Sequence, residues 1–132
     1  PPDYPVPEHG KTISMEQLLK EPFVARERGS GTRENIEGYL QKHYHFSLSA
    51  FHVVGEMGSS EAVKEAVIGG LGLSIISLYA VERELKQGIL VTVPLEGGNI
   101  GRNFYLIYRK HLHLLNYHRR FLEMLQASVS VG

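Results

Sequence analysis

The sequence contains no cysteine among its 132 residues, which excludes disulfide bonds, thiolate catalysis and cysteine-based zinc sites. It has no excess charge of either sign, since 14 lysines and arginines balance 14 aspartates and glutamates. A neutral chain has no overall field with which to recruit nucleic acid or an anionic membrane, so any contact with DNA must come from elsewhere. The absence of cysteine fits a reducing compartment, and we expect the protein to be cytoplasmic.

Long apolar runs are also absent. The longest, at 71–81, is too short and too often interrupted by serine to span a bilayer, and the N-terminus lacks the basic and then apolar pattern of a signal peptide. We therefore expect no contact with a membrane. The sequence begins at Pro1 rather than at methionine, and residues 1–7 hold four of its six prolines. This pattern predicts an extended connector in a piece of a longer chain.

The composition that remains is ordinary for a soluble domain, with 42% hydrophobic and 21% charged residues. Ser14 and Gln17 have the spacing of a capping box, which predicts a short helix that ends before Pro22. The apolar patterns predict strands at 23–27, 51–55, 73–76, 89–94 and 103–109, with helices at 32–43, around 62–67, at 79–86 and at 114–125. Strands that alternate with helices predict an α/β fold with parallel strand pairs.

Motifs for nucleotide binding and for catalysis are incomplete. Gly10, Lys11 and Thr12 match the end of a phosphate-binding loop, but Pro5 stands where its first glycine is required. The segment RGSGTR lacks both the lysine of that loop and the third glycine of a dinucleotide fingerprint. No Gly-x-Ser-x-Gly elbow is present, and the paired histidines lack a third metal ligand. The sequence therefore predicts no catalytic residue, no metal and no cofactor.

Two glycine-serine turns, Gly29 to Thr32 and Gly58 to Ser60, each follow a predicted strand and open a predicted helix. Because the carboxyl ends of parallel strands share one edge of a sheet, both helix N-termini should face the same crevice. Unpaired N–H groups and hydroxyls there suit a carboxylate, phosphate or sulfate-like group. The alternative is that each turn only caps its own helix. Ser77 ends the third predicted strand and would line the same edge.

The order of these segments resembles the effector-binding domain of LysR-type transcriptional regulators. The resemblance runs from about Ile13 to Leu125 and rests on EPFVARERGSGTRENIEGYL, then VGEMGSSEAVKEAVIGGLGLSIISLYAVERELKQGILVTVPLEG, then RNFYLIYRKHLHLLNYHRRFLEML. It implies a lobe similar to type 2 periplasmic binding proteins, with a mixed, mostly parallel five-stranded sheet flanked by helices. Residues 1–21 would be the end of lobe one and a connector, 22–100 the effector-binding lobe two, and 101–132 the strand and helix that return to lobe one.

The resemblance also implies functional roles. The family's regulators bind DNA through an N-terminal winged helix-turn-helix, which lies outside this chain, and they assemble as homodimers or higher homo-oligomers. A small effector, expected here to be an anionic metabolite, would bind between the lobes. The residues that match the family's ligand-binding turns, together with the serines beside them, are Gly29, Ser30, Gly31, Thr32, Glu56, Met57, Gly58, Ser59, Ser60 and Ser77. Glu56 is expected to face away from the ligand or to bind a cationic part of it.

Three functions are consistent with these features. The first is the sensor of a LysR-type regulator, the second is a solute-binding protein of a transport system with a related fold, and the third is a small α/β enzyme that uses the turns as an oxyanion site. The third ranks last because no nucleophile and base are paired in the sequence. The apolar residues Leu114, Leu115, Phe121, Leu122 and Leu125 are expected to pack on another chain or to fold back on the sheet.

Overall fold

The computed structural model of the chain describes residues 1–5, 12–98, 100–101 and 115–129. The chain forms two compact units, Pro1–Arg102 and Asn103–Gly132. In chain order the elements are α1 (Met15–Leu18), β1 (Pro22–Arg26), α2 (Gly31–Tyr44), β2 (His52–Met57), α3 (Ser60–Ile68), α4 (Leu78–Lys86) and α5 (Asn116–Val129), with a short 3₁₀ helix at Leu48–Ala50 before β2. Among the described residues no helix is long and apolar enough to cross a membrane.

The first helix forms where the capping-box spacing predicts it. The Ser14 hydroxyl accepts a hydrogen bond from the Gln17 backbone N–H at 3.2 Å, and the Ser14 N–H donates to the Gln17 side chain at 3.0 Å. These reciprocal bonds satisfy groups that the first turn of a helix would otherwise leave unpaired. The helix ends before Pro22, which begins β1. This prediction is confirmed.

Strands β1 and β2 pair in parallel, and their register places Pro22 opposite His52 and Arg26 opposite Met57. On its other side β1 meets residue 73 through an isolated parallel bridge. Two backbone bonds make this bridge, from the Val24 N–H to the Leu73 carbonyl and from the Leu73 N–H to the Pro22 carbonyl, each at 2.8 Å. β1 therefore lies between β2 and the segment that begins at residue 73.

The predicted five-stranded sheet is only partly present in the described residues. The predicted strand at 73–76 is reduced to the bridge at Leu73. The Ser74 hydroxyl donates to the Val24 carbonyl at 2.8 Å, in the place where a continued strand would donate a backbone N–H. The predicted strand at 89–94 is likewise replaced by a single parallel bridge between Ile13 and Leu95. Its first two residues donate their N–H groups to the Glu84 carbonyl and thereby close α4. The predicted strand at 103–109 lies outside the described residues.

The core of the first unit forms around β1, whose three central residues are all buried. Consecutive burial means that both faces of the strand are covered, as in parallel sheets. Phe23 is 1% exposed, and its ring lies 4.7 Å from that of Phe51, measured between centroids. Residues Ile13, Met15, Leu18, Phe23, Ala25, Ile36, Leu40, Leu48 and Phe51 form the main buried cluster. Helix α2 thus covers one face of the sheet through Ile36 and Leu40.

An ion pair joins α3 to α4 in a mostly buried position. The Lys64 ammonium lies 3.0 Å from the Glu84 carboxylate and 2.7 Å from that of Glu61. Lys64 and Glu84 are 8% and 7% exposed. The hydrogen bonds that Lys64 donates to these carboxylates, the one to Glu61 first, raise the pKa of Lys64, and the bond that Glu84 accepts lowers the pKa of Glu84. Both side chains are therefore charged at neutral pH.

This pair predicts a pH dependence of stability. A carboxyl whose pKa is lower in the folded state contributes stability that is fully present above its unfolded pKa of about 4.3 and is lost as pH falls through the folded value. Lys64 has the opposite sign, so its contribution is lost only as pH rises through its raised pKa, beyond about 10.4. We expect Glu84→Gln to destabilise the chain at neutral pH and to differ progressively less from wild type below about pH 4. Urea unfolding at several pH values measures this difference. The exposed Glu65→Gln is the control, and an equal effect of the two variants would contradict the prediction.

The second unit contributes α5. The side chains of Leu115, Phe121 and Met124 are more than half exposed, whereas Leu122 and Leu125 are half-buried. Leu114 lies outside the described residues. Packing of this apolar stripe on another chain, or back on the sheet, stays a prediction.

Candidate functional site

The first glycine-serine turn connects β1 to α2. The Ser30 N–H donates to the Glu27 carbonyl at 3.2 Å, and Gly29 between them has a φ of +84°, which favours glycine. Ser30 is the buried N-cap of α2, where its carbonyl accepts from the Glu34 N–H at 2.9 Å and its hydroxyl accepts from the Arg33 N–H at 3.5 Å. An α-helix provides no acceptor for its first N–H groups. The N–H groups of Gly31 and Thr32 are therefore available at this end of α2.

The second turn connects β2 to α3 in the same way. Ser59 is the N-cap, and its hydroxyl accepts from the Ala62 N–H at 3.1 Å while its carbonyl accepts from the Val63 N–H at 3.1 Å. The N–H groups of Ser60 and Glu61 are left available. Gly58 is exposed, and a side chain there would meet open space. Both serines thus cap their own helices, which is the structural role considered from the sequence. In the part of the chain that the structure describes, no group accepts from the remaining N–H groups at either helix end.

The two turns are adjacent because the strands that precede them are paired to their ends. Arg26 lies opposite Met57, and the Glu27 N–H donates to the Met57 carbonyl at 3.0 Å. The last bond of the ladder therefore lies directly beneath both turns. The prediction that the N-termini of α2 and α3 share one edge of the sheet is confirmed. Two positive helix ends at one edge favour a negatively charged group there.

Ser77 follows the segment that meets β1 on the side away from β2, and its place at the same edge stays a prediction. The bridge between Phe23 and Leu73 places this segment beside β1, and Ser77 directly precedes α4. Its carbonyl accepts from the Ala80 N–H at 3.0 Å, but its hydroxyl makes no capping bond. Tyr79 follows with 89% of its surface exposed. Because β1 lies between β2 and the segment at residue 73, a shared edge would place the N-terminus of α2 between those of α3 and α4.

Arg33 binds the first turn to the end of β2. Its guanidinium donates to the Glu56 carboxylate at 2.8 Å, to the Arg26 carbonyl at 2.9 Å and to the Glu37 carboxylate at 3.0 Å. The bond to Glu56 is the largest cause of the raised pKa of Arg33. Because this one guanidinium is shared with Glu37, it offsets the negative charge of Glu56 only in part, and Glu56 opposes a nearby anion less than an unpaired carboxylate would. The side chain of Arg33 is 11% exposed.

Arg26 performs the corresponding task at the second turn. Its guanidinium holds the Glu27 carboxylate with two bonds of 2.7 and 2.8 Å, and its remaining nitrogen donates to the Ser60 hydroxyl at 2.9 Å. The hydrogen bonds between Arg26 and Glu27 raise the pKa of the guanidinium and lower the pKa of the carboxyl. The pair is therefore ionised at neutral pH and carries no net charge.

Met57 does not lie with Glu56. Successive side chains of a strand point to opposite faces, and the Met57 methyl group lies over Gly55, 3.2 Å from the position that a side-chain carbon there would occupy.

A cavity of about 610 Å³ lies along α2 and β2. Of the predicted site residues, Gly29 and Glu56 line this cavity and the others do not. Its remaining lining residues are Arg28, Arg33, Glu34, Glu37, Ser47, Leu48, Ser49, Phe51 and Val53.

The sequence prediction named the turn residues but missed the two arginines that hold the turns. Arg26 and Arg33 flank the predicted loop in the printed sequence as RERGSGTR, so a signal was available. An arginine at a strand end beside a capping turn can reach carbonyls and carboxylates that a serine cannot. In the described part of the chain no group of three histidines or carboxylates could hold a metal ion.

The fold is shared with a solved regulatory domain. The structure of the CcmR regulatory domain from Synechocystis PCC6803, in complex with 2-PG, superimposes with a TM-score of 0.78 at 30% sequence identity. The match covers 96% of this chain and 58% of that domain. This likeness confirms the expected α/β class with a lobe of the periplasmic-binding-protein type 2-like fold.

The sequence gives the family. Residues 1–130 match the family described as LysR substrate binding domain, and the chain belongs to that family. It is 39% identical over 117 residues to the HTH-type transcriptional activator CmpR of Synechocystis sp., a match that covers 89% of this chain and 37% of that protein. It is 42% identical over 110 residues to the RuBisCO operon transcriptional regulator of Allochromatium vinosum, covering 83% and 35%. The chain spans about a third of the length of these relatives.

Proposed function

We propose that this chain is the effector-sensing part of a LysR-type, DNA-binding transcriptional regulator and that its effector is a small anionic metabolite. The observation that carries the proposal is the paired end of β1 and β2, which brings the N-termini of α2 and α3 to one edge. The complex of the CcmR regulatory domain with 2-PG supports an anionic ligand for this fold. The names of the relatives support regulation of transcription.

The proposed site consists of neutral donors. The backbone N–H groups of Gly31, Thr32 and Ser60 lie at helix ends, where an anion is stabilised by the aligned peptide dipoles. The hydroxyls of Thr32, Ser60 and Ser77 add donors along the same edge. Ser30 and Ser59 fix the helix ends through their caps. Gly29, whose φ is +84°, gives the first turn its shape, and the absence of a side chain at Gly58 leaves the second turn open. Glu56 is paired with Arg33, which offsets part of its negative charge, and Met57 covers the opposite face at the strand end.

A second wall is required to enclose the ligand. In our proposal residues 22–100 form lobe two, residues 1–21 and 101–132 connect to lobe one, and the effector binds between the lobes. The ligand would favour one arrangement of a homodimer or higher homo-oligomer over another, because a ligand shifts an equilibrium by its difference in affinity for the two states. DNA would be bound by a winged helix-turn-helix outside this chain, in the cytoplasm, and the protein would not be an enzyme. A transport solute-binding protein is less well supported, because the relatives named above are regulators of transcription.

Calorimetry tests the proposal on a chain extended to the length of its relatives, so that both lobes are present. We expect saturable binding of 2-phosphoglycolate, or of inorganic phosphate or sulfate, and none of glycerol. Thr32→Val removes one hydroxyl without changing the side-chain shape and is expected to weaken anion binding about tenfold, the effect of one lost hydrogen bond to a charged group. Ser49→Ala is the matched loss of a hydroxyl away from the edge and should leave affinity unchanged. Absence of anion binding, or equal effects of the two variants, would contradict the proposal.

A further inference from the structure

Arg26 makes a set of contacts that the sensing function does not by itself require. It is the last residue of β1, its side chain is 16% exposed, and it reaches Ser60, which is 34 positions later in the sequence. A structural arginine at a strand end could bind Glu27 alone. Here the two nitrogens that face Glu27 leave the third nitrogen directed at the Ser60 hydroxyl at 2.9 Å.

The direction of this hydrogen bond determines what Ser60 can do. A guanidinium has donors only, so the hydroxyl oxygen of Ser60 must be the acceptor. The hydroxyl hydrogen cannot then point at Arg26, and it remains free to donate to another group. A hydroxyl that accepts from a cation is also a better donor, because chains of hydrogen bonds polarise one another. Arg26 therefore sets Ser60 as a donor at the first residue of α3.

Glu27 prevents the Arg26 guanidinium from binding an anion directly, so Arg26 acts through Ser60. Its carboxylate takes two of the guanidinium nitrogens and balances the positive charge. An anion that approached Arg26 would have to displace this bidentate pair, which is the stronger kind of arginine contact. The Ser60 hydroxyl and the N–H groups of α3 can be reached without breaking any bond that the structure contains.

We propose that Arg26 is a positioning residue for the effector: it fixes the Ser60 hydroxyl as a donor to the anionic group, while Glu27 keeps the guanidinium itself out of contact with that group. The inference rests on the proposed function, since it concerns the same site. It goes further by dividing the site into residues that touch the anion and residues that act through them. Among the described residues Arg33 has no equivalent hydroxyl partner, and its partners there are two carboxylates and a carbonyl.

A double-mutant cycle on the two-lobed chain tests the division of roles. Ser60→Ala and Arg26→Met, the latter made together with Glu27→Gln so that no unpaired carboxylate is left beside the site, are each expected to raise the dissociation constant for 2-phosphoglycolate, or for whichever of phosphate and sulfate binds, by roughly tenfold. The double variant should be no weaker than Ser60→Ala alone, because Arg26 acts only through that hydroxyl. Arg28→Met is the control, since it removes the same charge two positions later from an exposed side chain, and its affinity should equal that of wild type.

Nitrogen NMR of the arginine side chains without ligand separates the possible failures. In the wild-type protein the N–H protons of the Arg26 guanidinium should exchange slowly with water. The nitrogen chemical shifts of this guanidinium should change in Ser60→Ala, whatever the effector is. If Ser60→Ala leaves the Arg26 signals unchanged, the contact is absent and the inference is overturned. In another outcome the contact is present and anions bind, while the losses of affinity in Ser60→Ala and Arg26→Met multiply in the double variant, or Arg26→Met loses no affinity. Either result overturns the positioning role of Arg26 and leaves the proposed function intact. If wild type binds none of the three anions, the proposed function is overturned and the inference falls with it.

Discussion

Replacing Gly72 with alanine is expected to be the most destabilising small substitution in the described part of the chain. A side-chain carbon at this position would lie 2.3 Å from the carbonyl oxygen of Pro22 and 2.7 Å from its carbonyl carbon. Both atoms belong to the backbone at the start of β1, so they cannot move aside as the end of a flexible side chain could. Relief of the overlap would separate the two segments where the Leu73 N–H donates to that same carbonyl at 2.8 Å.

We expect Gly72→Ala to lower the free energy of unfolding by about 3 kcal/mol or more, since it combines overpacking against backbone with the loss of buried hydrogen bonds. The melting temperature should fall by roughly 10 °C, on the scaling of a small domain. Gly38→Ala is the matched control, because Gly38 is in the middle of α2 with nothing within 4 Å of its would-be side chain. That change should instead stabilise the chain by about 0.5–1 kcal/mol, the helical preference of alanine over glycine. Shifts of the two variants in the same direction would contradict the packing described for β1.

Truncation of Phe23 to alanine is expected to have the second large effect. The side chain is 1% exposed, its ring contacts that of Phe51 at 4.7 Å, and it belongs to the cluster that joins β1 to α2 and to the 3₁₀ helix. Loss of a buried phenyl ring costs about 3–5 kcal/mol, from the transfer of the lost atoms and the cavity that remains. That is a large fraction of the 5–15 kcal/mol by which domains are usually stable.

Urea denaturation of this variant should show a lower midpoint with an unchanged slope, which would indicate lost stability rather than a different folded state. Leu78→Ala provides the comparison, since Leu78 is 62% exposed in this chain and its truncation should change stability by less than about 0.5 kcal/mol. Equal free energies of unfolding for Phe23→Ala and Leu78→Ala would contradict the placement of β1 at the centre of the core.

The sequence was informative wherever a local signal decided the structure. Ser14 with Gln17 identified the start of α1, and the serines before α2 and α3 identified theirs, because a hydroxyl at an N-cap acts within three residues of itself. The shared edge of the two turns could also be anticipated, since parallel pairing follows from the alternation of strands and helices. These are the features on which the candidate site is built.

What the sequence did not show depends on contacts between distant residues. The Ser74 hydroxyl donates to the Val24 carbonyl of β1, 50 positions earlier in the sequence. This bond stands where a backbone bond would continue the predicted strand beyond its bridge at Leu73. The pairing of Glu56 with Arg33, 23 positions earlier, settles the environment of a carboxylate that the sequence left undecided. Arg26 and Ser60 are likewise invisible as a pair until β1 and β2 are placed side by side. The spacing of apolar residues and the capping motifs are local patterns, so they do not show which distant residues form hydrogen bonds with each other.

A crystal structure of the two-lobed chain grown with 2-phosphoglycolate tests most directly whether the two turns bind the effector. We expect an anionic group at the carboxyl edge of β1 and β2, with oxygens about 2.7–3.2 Å from backbone N–H groups at the start of both α2 and α3. We also expect the Ser60 hydroxyl to donate to that group while Arg26 stays bound to Glu27. An anion held elsewhere, such as along Arg28 in the cavity between α2 and β2, with both turns facing only solvent, would show that the turns are not the effector site.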